Sequence, residues 1–298
     1  MRFFVTGVKG QLGADVMLEL AGRGHEAVGS DLTADVPCPE GTSYVPLDIT
    51  DKKAVRDTIE AADPDVVIHC AAWTAVDMAE DSDKADTVRM VNAAGTENIA
   101  GACRDIDCAM VYISTDYVFS GTGVLPWDPD CRDFNPLNFY GLTKLEGEEA
   151  VRQALDRYFI VRTAWVFGLN GSNFIKTMIN AGKKHDTVRV VNDQIGTPTY
   201  TKDLARLLAD MCETDKYGYY HATNEGGYIS WYDLCVEIYR QYGLDTKVIP
   251  VSTEEYGLSK AARPHNSRLD RSKLVKQGFR PLPDWRDAVA RYLKEADL

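Results

Sequence analysis

The chain has 298 residues, enough to bury a substantial core as one large domain or two closely joined ones. Its apolar fraction of 45% and charged fraction of 26% are those of an ordinary soluble globular protein, and no run long enough for a membrane-spanning helix occurs. A net charge of −12 argues against nucleic acid or an anionic membrane surface as partner, and any anionic substrate must be held by cations concentrated locally.

Seven scattered cysteines form no Cys-x-x-Cys pair, Cys103 and Cys108 being nearest, and five histidines form no cluster. A disulfide framework or zinc site is not expected; buried free thiols in a reducing cytoplasm are. The N-terminus enters Arg2-Phe3-Phe4-Val5-Thr6-Gly7 without the regions of a signal peptide, and Lys294-Glu295-Ala296-Asp297-Leu298 carries no lipidation signal, so a cytoplasmic location is expected.

A short apolar strand at 2–6 leads into Gly7-Val8-Lys9-Gly10-Gln11-Leu12-Gly13 and then a helix with Leu12, Val16 and Leu20 on one side. Strand, glycine turn and helix N-terminus together form a cradle for a pyrophosphate. Residues Gly7, Gly10, Gln11 and Leu12 are the expected contacts. A second strand, 26–30, ends at Asp31, an acid placed to accept hydrogen bonds from a ribose diol and to repel a 2′-phosphate, which leans towards NADH over NADPH. A third strand, 44–47, ends in Asp48-Ile49, where an acid can reach an adenine amino group; Thr50-Asp51 caps the next helix. The strand 65–70 is nearly continuous in apolar residues and runs into Ala71-Ala72-Trp73-Thr74, where the small alanines at the strand's end leave room for a ligand; His69 within it reads as a core histidine. A long helix over 83–103 places Asn92 towards the crevice.

The fifth strand, 110–113, delivers Ser114 and Thr115, either of which can hold a substrate oxygen, with Thr115 preferred, followed by Asp116, Tyr117 and Val118. After a polar loop over 120–136, a helix to about 157 carries Tyr140 and Lys144 on one face at i and i+4. A phenol titrates near pH ~10, and bringing it to neutrality takes roughly 4 kcal/mol of stabilisation of tyrosinate, for which a fixed cation nearby is the obvious source. A sixth strand spans 158–168. The strand–helix alternation to this point is that of a doubly wound parallel α/β (Rossmann) sheet. Beyond it the rhythm changes: a helix 172–184, a strand 188–191, a loop 192–199, a helix 201–213, a short strand near 219–221, a helix 230–242, a strand 247–251, a loop 262–270 and two short closing helices. The expected division places 1–168 with about 188–215 in the dinucleotide-binding domain, and about 169–187 with 216–298 in a smaller C-terminal α/β substrate lobe.

Taken together, Thr6-Gly7-x-x-Gly10-x-x-Gly13, Asp31, Ala71-Ala72, Ser114-Thr115 and Tyr140-x-x-x-Lys144 resemble the extended short-chain dehydrogenase/reductases. More narrowly, the chain resembles the dTDP-4-dehydrorhamnose reductase family over nearly its whole length. The narrow signals include Gly10-Gln11-Leu12-Gly13, Thr74-Ala75-Val76-Asp77, Ser114-Thr115-Asp116-Tyr117-Val118-Phe119, Arg162-Thr163-Ala164-Trp165-Val166-Phe167-Gly168, Asn192-Asp193-Gln194 and Arg263-Pro264-x-Asn266-Ser267. Trp73 and Phe167 stand where the family usually has tyrosine. The acidic metal-binding cluster of some members has no clear counterpart, so no metal is expected.

The resemblance implies a triad of Thr115, Tyr140 and Lys144, reduction of the C4 ketone of a dTDP-4-dehydro-6-deoxy sugar by NADH or NADPH, and cofactor contacts from Gly7, Gly10, Gln11, Leu12, Asp31, Asp48, Ile49, Ala71, Ala72, Thr74, Asn92, Tyr140 and Lys144. Expected substrate contacts are Thr115, Asp116, Tyr117, Val118, Trp165, Arg263 and Asn266. Arg268, Lys183, Lys184 and Arg189 are further candidate cations, Trp165 is equally a core residue, and Arg162 is read as structural. A homodimer is the default assembly. Two alternatives stand beside this reading. One is a nucleotide-sugar 4,6-dehydratase or epimerase, disfavoured because Tyr117 follows Asp116 where dehydratases carry a second acid. The other is a non-catalytic regulatory subunit such as that of methionine adenosyltransferase.

Overall fold

A computed structural model describes residues 1–296 and 298 of the chain. The elements run β1 (Arg2–Thr6), α1 (Gln11–Gly22), β2 (Glu26–Asp31), β3 (Ser43–Pro46), α2 (Lys52–Ala62), β4 (Val66–His69), α3 (Ala85–Arg89), α4 (Gly95–Asp105), β5 (Ala109–Thr115), α5 (Phe139–Ala154) and β6 (Tyr158–Thr163). There follow β7 (Val166–Phe167), α6 (Phe174–Gly182), β8 (Thr187–Val191), β9 (Ile195–Gly196), β10 (Thr199–Tyr200), α7 (Thr201–Cys212) and β11 (Gly218–His221). Last come β12 (Ile229–Ser230), α8 (Trp231–Tyr242), β13 (Lys247–Val251), α9 (Thr253–Tyr256), α10 (Ser272–Lys276) and α11 (Trp285–Glu295).

Seven parallel strands in the order β11-β6-β5-β4-β1-β2-β3 form the main sheet. Successive side chains on a strand point to opposite faces, so each strand feeds two cores. Phe3, Val5, Ile68, Val111 and Val161 pack against Leu12, Val16 and Leu20 of α1 and Leu204, Leu208 and Met211 of α7. Phe4, Val67, Met110, Tyr112 and Ile160 pack against Val55 and Ile59 of α2, Ile99 and Cys103 of α4 and Val151 of α5. The strand order reverses between β1 and β4, which opens a crevice at their carboxyl ends, where such sheets bind ligands. A third core, with Ile175, Ile179, Leu234, Ile238, Trp285, Val289 and Tyr292, belongs to a smaller lobe built on the β8–β13 pair and α6, α8 and α11.

The doubly wound fold agrees with the sequence, and four details differ. The strand expected over 158–168 stops at Thr163, because Trp165 adopts φ 51°, and Val166–Phe167 then pair with Thr199–Tyr200. That pairing, with β9 against β12, puts short strands where a loop over 192–199 was expected. The helix expected over 83–103 is interrupted by a π-helical turn at Met90–Ala94. The expected domain division is also redrawn: β8 pairs with β13 of the small lobe, whereas Gly218–His221 is the outer strand of the main sheet beside β6.

One buried ion pair braces β5, β6 and α5. Arg162 grips Glu148 through both carboxylate oxygens at 2.8 and 2.7 Å, and Ser114 Oγ donates to Glu148 Oε1 at 2.5 Å. Both charged side chains are fully buried, so each depends on the other for its charge to be tolerated. Arg162 is structural, as read from the sequence.

Candidate active site

The glycine turn forms because Gly7 takes φ 72°, a conformation that side chains disfavour, and because a Cβ there would sit 2.7 Å from the Ala71 nitrogen. The turn closes through Gly10 N–H to Gly7 C=O at 3.0 Å, and α1 starts at once, its first residues lining the crevice. A cavity of about 700 Å³ opens over this turn and runs along the sheet's carboxyl edge. Gly7, Gly10, Gln11 and Leu12 line its floor, Asp31, Asp48 and Ile49 one end, and Ala71, Ala72 and Thr74 the middle. Asp31 is fixed by the N–H groups of Lys9 and Leu32, at 3.0 and 2.8 Å. A glycine cradle at a helix N-terminus, followed by an acid at the next strand's end, fits a dinucleotide, with Lys144 at the far end of the same cavity.

Helix α5 begins where it does because Asn138 accepts a hydrogen bond from Gly141 N–H at 2.8 Å, while its amide donates to Ala262 C=O and Glu80 accepts from Phe139 N–H. This cap puts Tyr140 and Lys144 on the face towards β5, both buried and both lining the cavity. Thr115, the last residue of β5, lines it with them, as do Asp116, Tyr117 and Trp165. The Tyr117 and Tyr140 rings meet edge to face at 5.7 Å, and Trp165 stacks on Trp231 at 3.7 Å.

The electrostatics depart from the simple Tyr–Lys picture. Burial, then the nearby Asp116 and Tyr117, push the Tyr140 phenol up, and a hydrogen bond with Thr115 offsets only part of this. Burial draws Lys144 down to about 7, Glu148 opposing the shift. Burial lifts Asp116 to about 6, with Ser267 and Thr115 relieving part of it. In the protein alone Tyr140 is therefore a firmly protonated phenol, the form a proton donor needs, and Lys144 stands near its titration point.

Four expected contacts lie elsewhere. Asn92 does not face the cavity: on the π-helical turn, its carbonyl accepts Trp73 N–H at 2.8 Å and its amide donates to Trp73 C=O and Thr143 Oγ1, tying the loop after β4 to α5. Val118 is fully buried in the core beneath Phe119 and Leu269, because residues 116–118 coil into a 3₁₀ turn that rotates it inward. Asn266 is buried, donating to the carbonyls of Thr122 and Leu125 and accepting from Arg268, so it shapes a loop. Arg263 lies just behind the cavity wall, paired with Asp77 at 2.7 Å and donating to Tyr117 Oη at 3.2 Å. Arg189 is turned to Glu255 C=O and Lys183 to the Tyr242 ring, both in the small lobe. His69 is a satisfied core histidine, bonded to Thr6 Oγ1 at 2.7 Å and Thr96 Oγ1 at 3.1 Å. Sequence reasoning missed Val76, Ile113, Thr163, Ala164, Val166 and Ser172, which also line the cavity. The run Arg162–Gly168 signalled the stretch, but only the backbone reversal at Trp165 brings it to the site.

Among the described residues no group of three or more His, Cys, Asp or Glu side chains is placed to hold a metal, and no helix is long and apolar enough to cross a membrane.

The model of the RmlD substrate binding domain family matches residues 1–298. A dTDP-4-dehydrorhamnose reductase of Streptomyces griseus is 40% identical over 97% of this chain and 91% of its own length. The crystal structure of a dTDP-4-dehydrorhamnose reductase from Clostridium acetobutylicum superposes with a TM-score of 0.90 at 40% identity, covering 99% of each chain. That of a dTDP-4-dehydrorhamnose reductase from Bacillus anthracis in complex with NADP gives 0.88 at 37% identity, again covering 99% of each.

Proposed function

The chain belongs to the RmlD substrate binding domain family, and from that premise we propose that it is a nicotinamide-dependent reductase of the C4 ketone of dTDP-4-dehydro-L-rhamnose, giving dTDP-L-rhamnose. The observation that carries the reading is that Thr115, Tyr140 and Lys144 line one cavity with the glycine turn. When bound, the nicotinamide supplies the hydride.

The protein's part is to hold the ketone and feed it a proton. Tyr140, kept protonated by burial, donates its phenolic proton to the carbonyl oxygen as that oxygen gains charge. Thr115 Oγ1, now donating to Asp116 Oδ1 at 3.1 Å, turns its hydroxyl to the same oxygen and orients it. Lys144, as an ammonium, stabilises the tyrosinate left behind and holds the nicotinamide ribose. Asp116 and Tyr117 contact the sugar, Trp165 walls it, and Arg263, behind the wall beside Tyr117, is the arginine that reaches the substrate's diphosphate. Asp31, rigidly held, carries the inference that NADH is preferred to NADPH.

The test is oxidation of NADH, and separately NADPH, with enzymatically generated dTDP-4-dehydro-L-rhamnose. Rapid oxidation with the higher kcat/KM for NADH is expected. Absence of turnover with a cofactor that demonstrably binds overturns the reductase reading; a higher kcat/KM with NADPH overturns only the Asp31 inference. Tyr140→Phe should lower kcat by about 100- to 10,000-fold with cofactor affinity unchanged.

A further inference from the structure

Lys144 is held at the cavity by something other than an acid. Glu148, one turn further along α5, has both oxygens on Arg162 and one also on Ser114. What lies directly against the ammonium is the face of Tyr112, with Nζ 4.1 Å from the ring centre. Tyr112 is fully buried on β5, three residues before Thr115, so its strand fixes the ring relative to the reacting groups. Its hydroxyl donates to the Lys144 carbonyl at 3.2 Å, which sets the ring beneath that turn of α5. The fit is tight: a Cβ on residue 147 would lie 2.2 Å from this hydroxyl, and the residue there is Gly147.

We propose that Tyr112 is a positioning residue for Lys144, its ring face holding the side chain as an ammonium aimed into the cavity. The interaction is electrostatic, between a cation and the negative face of an aromatic ring, and it is strongest where water is excluded. Its surroundings make it matter. From β4 and the residue after it, His69 and Cys70 face the same ammonium; burial keeps His69 neutral, at about 3, and Cys70 protonated, at about 12. From α5, Glu148 favours the charged form and Tyr140 is a neutral phenol. Burial alone favours the neutral amine at Lys144, so loss of the ring's attraction shifts the balance further in that direction.

The kinetic consequence rests on the reductase reading; the titration itself does not. Protein labelled with ¹³Cε-lysine reports the pKa of Lys144 without turnover, the resonance being assigned by Lys144→Arg. Tyr112→Phe keeps the ring face, and 3,4,5-trifluorophenylalanine at the same position weakens it at nearly constant shape, so both proteins should fold. We expect Tyr112→Phe to titrate close to wild type and the fluorinated protein about one pH unit lower. Activity needs the ammonium and is lost as pH rises through its pKa, so the alkaline limb of kcat should move down by the same amount. Equal Lys144 titrations in the phenylalanine and trifluorophenylalanine proteins overturn the proposal. A lowered titration with an unmoved limb upholds the ring contact and overturns the role given to Lys144 in turnover.

Discussion

Asp116 brings a buried carboxylate to the cavity with one oxygen, Oδ2, that no donor among the described residues reaches. A fully buried acid without a full set of donors is costly when ionised, and burial lifts its pKa to about 6. The unfolded value is about 3.9, so the folded protein holds this proton over a range in which the unfolded chain has lost it. Stability is therefore lost as pH rises from about 4 to 6, and the penalty persists above that range. Asp116→Asn removes the charge while leaving an acceptor for Thr115. It should stabilise the protein at pH 7.5 by on the order of 2 kcal/mol, with the gain shrinking as pH falls towards 4, measured by urea unfolding across pH. The same variant should raise KM for the sugar nucleotide, since Asp116 is proposed to contact the sugar. A constant difference at every pH would show that ionisation is not the cause. Thr115, on β5, was expected beside Tyr140 and Lys144 only from the family resemblance; that those two share a face was legible, because helix geometry puts i and i+4 one above the other. Val118 was not: from sequence the strand and its turn are continuous, and only the 3₁₀ turn after Thr115 decides which side chains point to the cavity.

A strap from the small lobe, residues 258–264, closes on the short 3₁₀ turn at Met78–Glu80. Asp77 is its anchor, accepting from the N–H groups of Lys260 and Ala261 at 3.1 and 3.0 Å and from Arg263 at 2.7 Å. Lys260 adds an exposed pair with Asp81, which contributes little by itself. Since Arg263 also reaches Tyr117, the strap sets the wall of the cavity at the substrate end. Asp77→Ala should therefore raise KM for the nucleotide sugar several-fold while leaving cofactor affinity near wild type. It should also speed amide hydrogen exchange at Lys260 and Ala261, whose protection comes from this carboxylate. Unchanged exchange at those two amides would mean that the strap is held by something else. None of this was readable in sequence, because Asp77 and Arg263 are separated by 186 positions and neither sits in a periodic element. The π-helical turn was hidden for a related reason: Asn92 suits a helix surface, and the partners it bonds from that turn, Trp73 and Thr143, are distant in sequence.

At the scale of the molecule the sequence showed an alternating α/β half and a change of rhythm, and the expected division had the chain return to the dinucleotide-binding unit only once, at about 188–215. The chain instead passes repeatedly between the two lobes. It leaves the main sheet after β6 and builds α6 and β8, then returns for α7 and β11. It goes out again through α8 and β13, comes back with Leu274, Phe279 and Leu282 in the main core, and ends in the small lobe on α11. A four-residue strand such as Gly218–His221 has too little pattern to announce which sheet it joins; its pairing with β6 is decided by distant packing. An interwoven chain of this kind has no lobe that can unfold without pulling elements out of the other. Calorimetry should thus show one endotherm with calorimetric and van't Hoff enthalpies in agreement. Nicotinamide cofactor at about 100 times its Kd should shift that single endotherm upward by several degrees, since binding adds about 2.7 kcal/mol to the whole unit. Two resolved transitions, with only the first responding to cofactor, would show that the lobes fold separately and that the crossings between them carry little of the stability.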